Sequence, residues 1–440
     1  MIQTNFIWFL FVLHTFLTVN CSKYRFYKIT AFNQRERRVL YAIYTKEKTI
    51  NFLNGISNEA AIPIDVAVQE QYAHIFETKL QTYNIQYLYF TGNLMDTTQK
   101  LNITQEIDIS NSFLEWDGIT QWVDAQVKKN RNVQKIVIAK TYERRDIFLL
   151  QISNGSKKPI VFIVGSEDGK DWVSSSVILN FLMKLLKDND MDNSLLKYFD
   201  FYLAPIINPD GFVYSKIYDR FWSKNRKEFF PPISCLNGSL SVGVNIDRNW
   251  FQQKVSRLME EECKNIYTGY EPLSEEETHT LSYVLNGLAI NMIAFINLKG
   301  FSKFITIPYA HRKPTSNHDI VLDILTSAST TVNKIYNVTY YVDTSNRLIY
   351  NFSGNMADWV KTKLNIPIVY TQYLKYENYV LPKPDHILQL TQHFYTTLNE
   401  TLLIAKDIYG PLFNNQCTIS VYTKTKITIF LKLLLLLFTL

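Results

Sequence analysis

The chain has 440 residues, of which 47% are hydrophobic, enough for one large core and a smaller second one, so disordered and fibrous classes are excluded. Its formal charge of +6 is spread along the whole length, with no run of five like charges and no arginine-rich helix expected, which argues against nucleic acid as a partner.

In chain order, residues 6–19, FIWFLFVLHTFLTV, form an apolar run too short to span a bilayer. The run precedes a small-residue site at Val19 and Cys21, so residues 1–21 are expected to be a secretory signal. From Tyr24 to Gly92 the pattern alternates in YRFYKITA, IPIDVAV and IQYLYF and takes helical spacing in EQYAHIFETKLQTY, which predicts a small α+β unit over 22–92. Residues 93–112, poor in aromatics and holding one sequon, read as an exposed linker. A larger domain is expected over 113–412, where strand-like QKIVIAK, PIVFIVG, FDFYLAPII and NMIAFINL alternate with helical stretches, as in a mixed sheet covered by helices. After PIVFIVG comes a turn with four charges, Glu167, Asp168, Lys170 and Asp171, then a helix with Val173, Val177, Phe181 and Leu185 on one stripe. Ser274 and Glu277 have the spacing of a capping box. Residues 413–440 read as a polar spacer followed by the 14-residue apolar run ITIFLKLLLLLFTL, shorter than a membrane span and similar to a lipid-anchor transfer signal.

Sequons at Asn102, Asn154, Asn237, Asn337, Asn351 and Asn399 suit a glycosylated chain on the secretory route. With Cys21 removed by cleavage, Cys235 and Cys263 would close a loop worth roughly 3–4 kcal/mol in an oxidising compartment, leaving Cys417 as the odd thiol. No serine-hydrolase elbow, Walker loop or dinucleotide fingerprint occurs.

Four segments in order, GSEDGKDW, INPDGFVYSKIYDRFWSKNR, GVNIDRNW and IYNFSGNMADW, followed by VLP at Val380–Pro382, resemble the secreted zinc metallocarboxypeptidases of the pancreatic A/B type. The resemblance implies an α/β fold with a mixed eight-stranded sheet covered by helices, preceded by a ferredoxin-like α+β pro-domain over 22–92. It also implies zinc held by a His-x-x-Glu pair and a later His, an Arg that polarises the scissile carbonyl and a Glu that activates the metal-bound water. Aligned through Trp172, the first two ligand positions hold Asp168 and Asp171, and aligned through Ser302 and PYA the third holds Lys299. The polarising Arg position in RFWSK is Ser223, with Arg220, Trp222 and Lys224 of the motif retained, and the general-base position in IPIVYTQYL is Tyr373, or Gln372 without a one-residue insertion.

Zinc tolerates ligand distances to about ±0.2 Å, and shortening Glu to Asp withdraws a carboxylate by ~1.5 Å. An ammonium with a free pKa near 10.4 is a poor ligand besides. The expected cofactor set is therefore empty, with zinc, the family's cofactor, not bound, and Asp168, Asp171 and Lys299 are expected to form a mutual salt-bridge cluster in its place. Binding of Ca²⁺ or Mg²⁺ by the two aspartates is the rival, and it would have to overcome Lys299.

On the substrate side the resemblance keeps Arg248 at the carboxylate-binding Arg and Tyr350 at the flexible Tyr, while Asp247 replaces a neutral Asn and is expected to pair with Arg248. By the same resemblance Ala357 falls where side-chain preference is set, which implies a roomy or apolar pocket floor. His74 and Glu77 have metal-ligand spacing but lie in the first unit as a helix-surface pair, and none of His14, His279, His311, His318, His386 and His393 sits at a ligand position. The expectation is a secreted or surface-anchored non-hydrolytic relative that holds a peptide or protein in the old cleft with its own pro-domain attached. Its rivals are an active carboxypeptidase with a rearranged metal site and a decoy for carboxypeptidase inhibitors.

Overall fold

The computed structural model describes residues 24–47, 49–53, 55–57, 62–92, 107–155, 157–187, 195–235, 239–251, 261–311, 315–349, 352–374 and 383–414. The expected signal and tail, Cys21, Cys417, Tyr350, Val380–Pro382 and the sequons at Asn102, Asn237 and Asn351 lie outside the described residues. The chain divides into two compact units, residues 1–96 and 97–440.

The first unit runs β1 (Tyr24–Thr30), α1 (Gln34–Lys46), β2 (Ile50–Phe52), β3 (Ile64–Gln69), α2 (Glu70–Thr82) and β4 (Gln86–Gly92), and its antiparallel sheet has the order β2-β3-β1-β4. Tyr27, Ile29, Val66 and Val68 of the sheet pack with Leu40, Phe76 and Leu80 of the two helices. α1 corrects two expectations: its 13 residues had no assigned helix, and with Arg35, Arg37 and Arg38 it is arginine-rich. Asn33 caps it by accepting from the backbone N–H of Glu36, whose carboxylate returns to the N–H of Phe32. In α2 His74 is exposed, while Glu77 takes Arg25 at 2.8 Å and the Tyr27 hydroxyl at 2.9 Å.

The second unit contains α3 (Trp116–Lys129), β5 (Val133–Lys140), β6 (Asp146–Ile152), β7 (Ile160–Val164), α4 (Trp172–Lys187), β8 (Asp200–Ala204), α5 (Pro209–Ile217), α6 (Glu276–Leu288), β9 (Met292–Gly300), β10 (Phe304–Ile307), α7 (His318–Tyr336), β11 (Tyr341–Thr344), β12 (Ile368–Leu374) and α8 (Ile387–Asn414). Its mixed eight-stranded sheet has the order β11-β10-β12-β9-β7-β8-β6-β5, with β12, β9, β7 and β8 parallel. β7 reads IVFIV because both its faces are covered: Val161 and Ile163 join the cluster under α3, α4, α7 and α8, while Ile160, Phe162 and Val164 join the one under α6 with Trp250 and Trp359. The parallel strands run the same way, so the C-terminal ends of β7, β9 and β12 share one edge, where such sheets place their ligand sites.

The capping box does not form, because α6 begins at Glu276, one residue too late. The Ser274 hydroxyl donates to Glu275 and accepts from Asn249 instead. Cys235 and Cys263 are joined by a disulfide, with Cα atoms 5.9 Å apart.

Candidate functional site

The turn after β7 is held by neutral groups. Ser166 takes a left-handed backbone (φ +48°), its N–H donates to the Ser174 hydroxyl at 2.8 Å, and its own hydroxyl donates to the Asp171 carbonyl. Asn208 gives its amide to the carbonyls of Glu167 and Ser223 at 3.0 and 3.3 Å, and its side-chain oxygen caps α5 at Gly211. Gly169 passes so close to Gly211 that a Cβ would stand 2.4 Å from the Gly211 carbonyl oxygen, which only glycine permits. The backbone thereby turns Glu167 inward.

The side chains that meet at this edge are charged. Glu167, 2% exposed, accepts from the Asn297 amide at 2.6 Å, and the same oxygen lies 3.2 Å from the Lys299 ammonium. Lys299 is also 2.7 Å from Asp247, whose other oxygen pairs with Arg248. The Arg248 guanidinium lies 4.2 Å from the centre of the Phe352 ring. Burial opposes a charge on Lys299, but Asp247 and Glu167 outweigh it and hold the ammonium above its ordinary pKa. Burial likewise disfavours ionised Asp247, yet Lys299 and Arg248 keep its pKa below the usual range. Glu167 goes the other way: burial raises its pKa, Lys299 compensates only in part, and the Asp247 charge adds to the rise. One ammonium thus serves two carboxylates and ionises one of them more readily.

The predicted cluster of Asp168, Asp171 and Lys299 is corrected in its membership. Lys299 pairs with Glu167 and Asp247, while Asp168 is half-buried and acts only as a neighbouring negative charge. Asp171 is spent on the backbone: one oxygen accepts from the N–H of Ser174 at 3.2 Å, capping α4, and the other from the N–H of Gly300 at 3.0 Å. The physical reason is position, because Asp171 directly precedes a helix whose orphan N–H groups claim a carboxylate.

Tyr373 stands opposite Lys299 in the β12–β9 register, whereas Gln372 is fully buried and donates to Thr397 of α8 at 3.2 Å. Of the two residues considered for the base position, Tyr373 therefore shares the side of Lys299. Ser223 is buried, and its carbonyl accepts from Gly169 at 3.2 Å. Its retained neighbours are structural in geometry: Arg220 stacks 3.6 Å from the Trp172 ring and donates to the Lys170 carbonyl at 2.6 Å, and Lys224 donates to the Glu262 carbonyl at 3.0 Å. Ala357 is buried in the cluster that holds Ile246, Trp250 and Trp359. Asn154 and Asn337 are exposed and Asn399 is half-buried. His393, fully buried, has its pKa lowered to about 4 by burial, and His311 contacts Asp358 at 2.8 Å, both away from the cluster.

The donor set does not suit zinc. Asp171 has both oxygens committed to backbone N–H groups, Lys299 offers an ammonium with no lone pair, and among the described residues no three His, Cys, Asp or Glu side chains are grouped to hold a metal. Glu167 and Asn297 each keep one buried oxygen without a hydrogen-bond partner among the described residues, so the cluster is under-supplied with donors.

Comparison with known proteins places this geometry. The family profile described as zinc carboxypeptidase matches residues 119–396. A zinc carboxypeptidase of Simulium vittatum is 30% identical over 261 residues, covering 58% of this chain and 84% of that protein. Carboxypeptidase O of Bos taurus is 27% identical, covering 68% and 80%. Among solved structures, thrombin activatable fibrinolysis inhibitor superposes with a TM-score of 0.75 at 21% identity, over 86% of this chain and 98% of that one. Carboxypeptidase A of Helicoverpa armigera gives 0.76 at 20% identity, over 88% and 98%. At those identities the two structures speak for the fold.

Proposed function

Because the chain belongs to the zinc carboxypeptidase family, we propose that it is a non-hydrolytic member that keeps the cleft as a binding site for a peptide or protein. The observation that carries this reading is Lys299: its ammonium, at the position matched to the third zinc ligand, lies between Glu167 and Asp247 and balances there the charge that a metal ion would otherwise balance. A metal-bound water, a general-base carboxylate and a polarising guanidinium each contribute orders of magnitude to hydrolysis of this kind. Asp171, Ser223 and Tyr373 at the matched positions supply none of them.

The same geometry bears on what the cleft takes. Asp247 lies on Arg248 and Lys299 as the carboxylate of a peptide end would, so an incoming C-terminal carboxylate has to displace it. A ligand that brings N–H donors to Glu167 and Asn297 is favoured over one that brings a carboxylate. The N-terminal unit is read as a pro-domain that stays attached, since residues 93–112 carry only Lys100 as a basic cleavage point. The signal-like start, the sequons and the disulfide support a secreted chain, with the apolar tail exchanged for a lipid anchor at the outer cell surface.

Calorimetric titration with a blocked dipeptide ending in phenylalanine tests the reading. The natural chain is expected to bind it weakly and leave it uncleaved, and Asp247→Asn to bind it about tenfold more tightly, since the competing charge is gone. Cleavage by the natural chain, or tight binding that Asp247→Asn leaves unchanged, would overturn it.

A further inference from the structure

The first unit carries a groove of about 590 Å³ between α1 and α2 that the reading of the cleft leaves unused. Arg35, Arg38, Ala42 and Lys46 recur along α1 at intervals of three and four residues, so they form one stripe. Arg35, Arg38 and Lys46 are exposed and make no ion pair among the described residues. Lys79 of α2 closes the opposite wall, paired with Glu47, and Tyr83 follows it at the end of that helix. Four cations thus face a single carboxylate over a floor of Val39, Ala42 and the Tyr83 ring.

From this arrangement we infer that the groove is a docking site for an acidic, amphipathic peptide segment of a partner protein. Charge complementarity sets the sign, because three guanidinium or ammonium groups that make no ion pair among the described residues attract carboxylates and hold them by paired hydrogen bonds. The stripe from Arg35 to Lys46 spans about 16 Å at 1.5 Å per residue, which matches roughly five residues of extended chain. The apolar floor selects among polyanions: a sulfated polysaccharide satisfies the cations but leaves Val39 and the Tyr83 ring without an apolar complement, whereas a peptide alternating acidic and apolar side chains satisfies both. The site is separate from the cluster around Lys299 and stands whether or not the cleft binds anything.

Fluorescence anisotropy on the intact chain tests it, with a labelled ten-residue peptide of alternating glutamate and leucine at 50 and 300 mM NaCl. The expected result is saturable binding that weakens at the higher salt. It falls about tenfold in Arg38→Glu, which reverses an exposed charge, and by a similar factor in Ala42→Trp, which fills the groove without changing charge. A peptide with serine in place of leucine is expected to bind at least about tenfold more weakly. Equal binding of the serine peptide, tighter binding of a heparin oligosaccharide than of the leucine peptide, indifference to both substitutions, or no binding to the intact chain would each overturn the inference.

Discussion

The turn after β7 and the ion cluster it supports are neighbours held by opposite means. The turn is fixed by neutral, directional bonds from the Asn208 amide, the Ser166 hydroxyl and the Gly169 N–H to backbone carbonyls, and Asp171 has joined that set by accepting from backbone N–H groups with both its oxygens. The cluster rests on charge: one ammonium between two carboxylates, with an oxygen on Glu167 and another on Asn297 unpaired among the described residues. The difference teaches that the turn and the ion cluster beside it are stabilised by separate interactions, so one can change while the other is kept.

The largest effect that would sharpen this contrast is expected from Lys299→Met, which leaves two buried carboxylates without their shared cation and should cost about 3–5 kcal/mol in urea unfolding. Adding Glu167→Gln should restore a good part of that loss. No rescue would mean that the cluster is not held by charge. Breaking the Cys235–Cys263 disulfide by a double serine substitution should cost roughly 3–4 kcal/mol for a loop of this length while leaving the pH response of the cluster unchanged. Asn208→Ala removes a helix cap and two backbone ties and should cost about 2 kcal/mol. Glu167→Gln should not rescue it, in contrast to Lys299→Met.

The last expected effect is on pH dependence. Burial pushes Glu277 up to about 8 from an ordinary 4.5, with the neighbouring charges of Glu275 and Asp210 adding to the rise, and burial raises Glu167 as well. In the folded chain these carboxyls hold protons that the unfolded chain has already released, so their contribution is complete below about pH 4.5 and is lost as pH rises towards about 8. Thermal melts from pH 5 to 8 should show the melting temperature falling, and Glu277→Gln should flatten the slope by a few degrees. A slope unchanged by that substitution would place the titrating group elsewhere.

Much of the fold was legible in the sequence because its signals are local. The unbroken apolar run of β7 and the stripe of Val173, Val177, Phe181 and Leu185 on α4 report burial directly. α1 was missed because its first turns are nearly all charged, and only Leu40 and Ile43 of it are buried, with Val39 and Tyr44 packing partly exposed. At the site, Asp168, Asp171 and Lys299 could be singled out by the motifs around them, but what they contact depended on the tertiary structure. Asp171 did carry a readable local signal, an aspartate immediately before a helix. That Lys299 meets Glu167 and Asp247 could not be read locally, since β9, the turn after β7 and the Ile246–Arg248 turn are far apart in sequence. Which of Gln372 and Tyr373 shares the side of Lys299 depends on strand phase, and the register pairs Tyr373 with Lys299.

The most direct test of the central claim, that the ammonium of Lys299 replaces a metal in a chain that no longer hydrolyses peptides, is zinc content by mass spectrometry before and after zinc titration. A carboxy-terminal hydrolysis assay with and without chelator would run on the same sample. The account predicts less than about one-tenth of an equivalent of retained zinc and no chelator-sensitive release of amino acids. Stoichiometric zinc accompanied by chelator-sensitive turnover would contradict it.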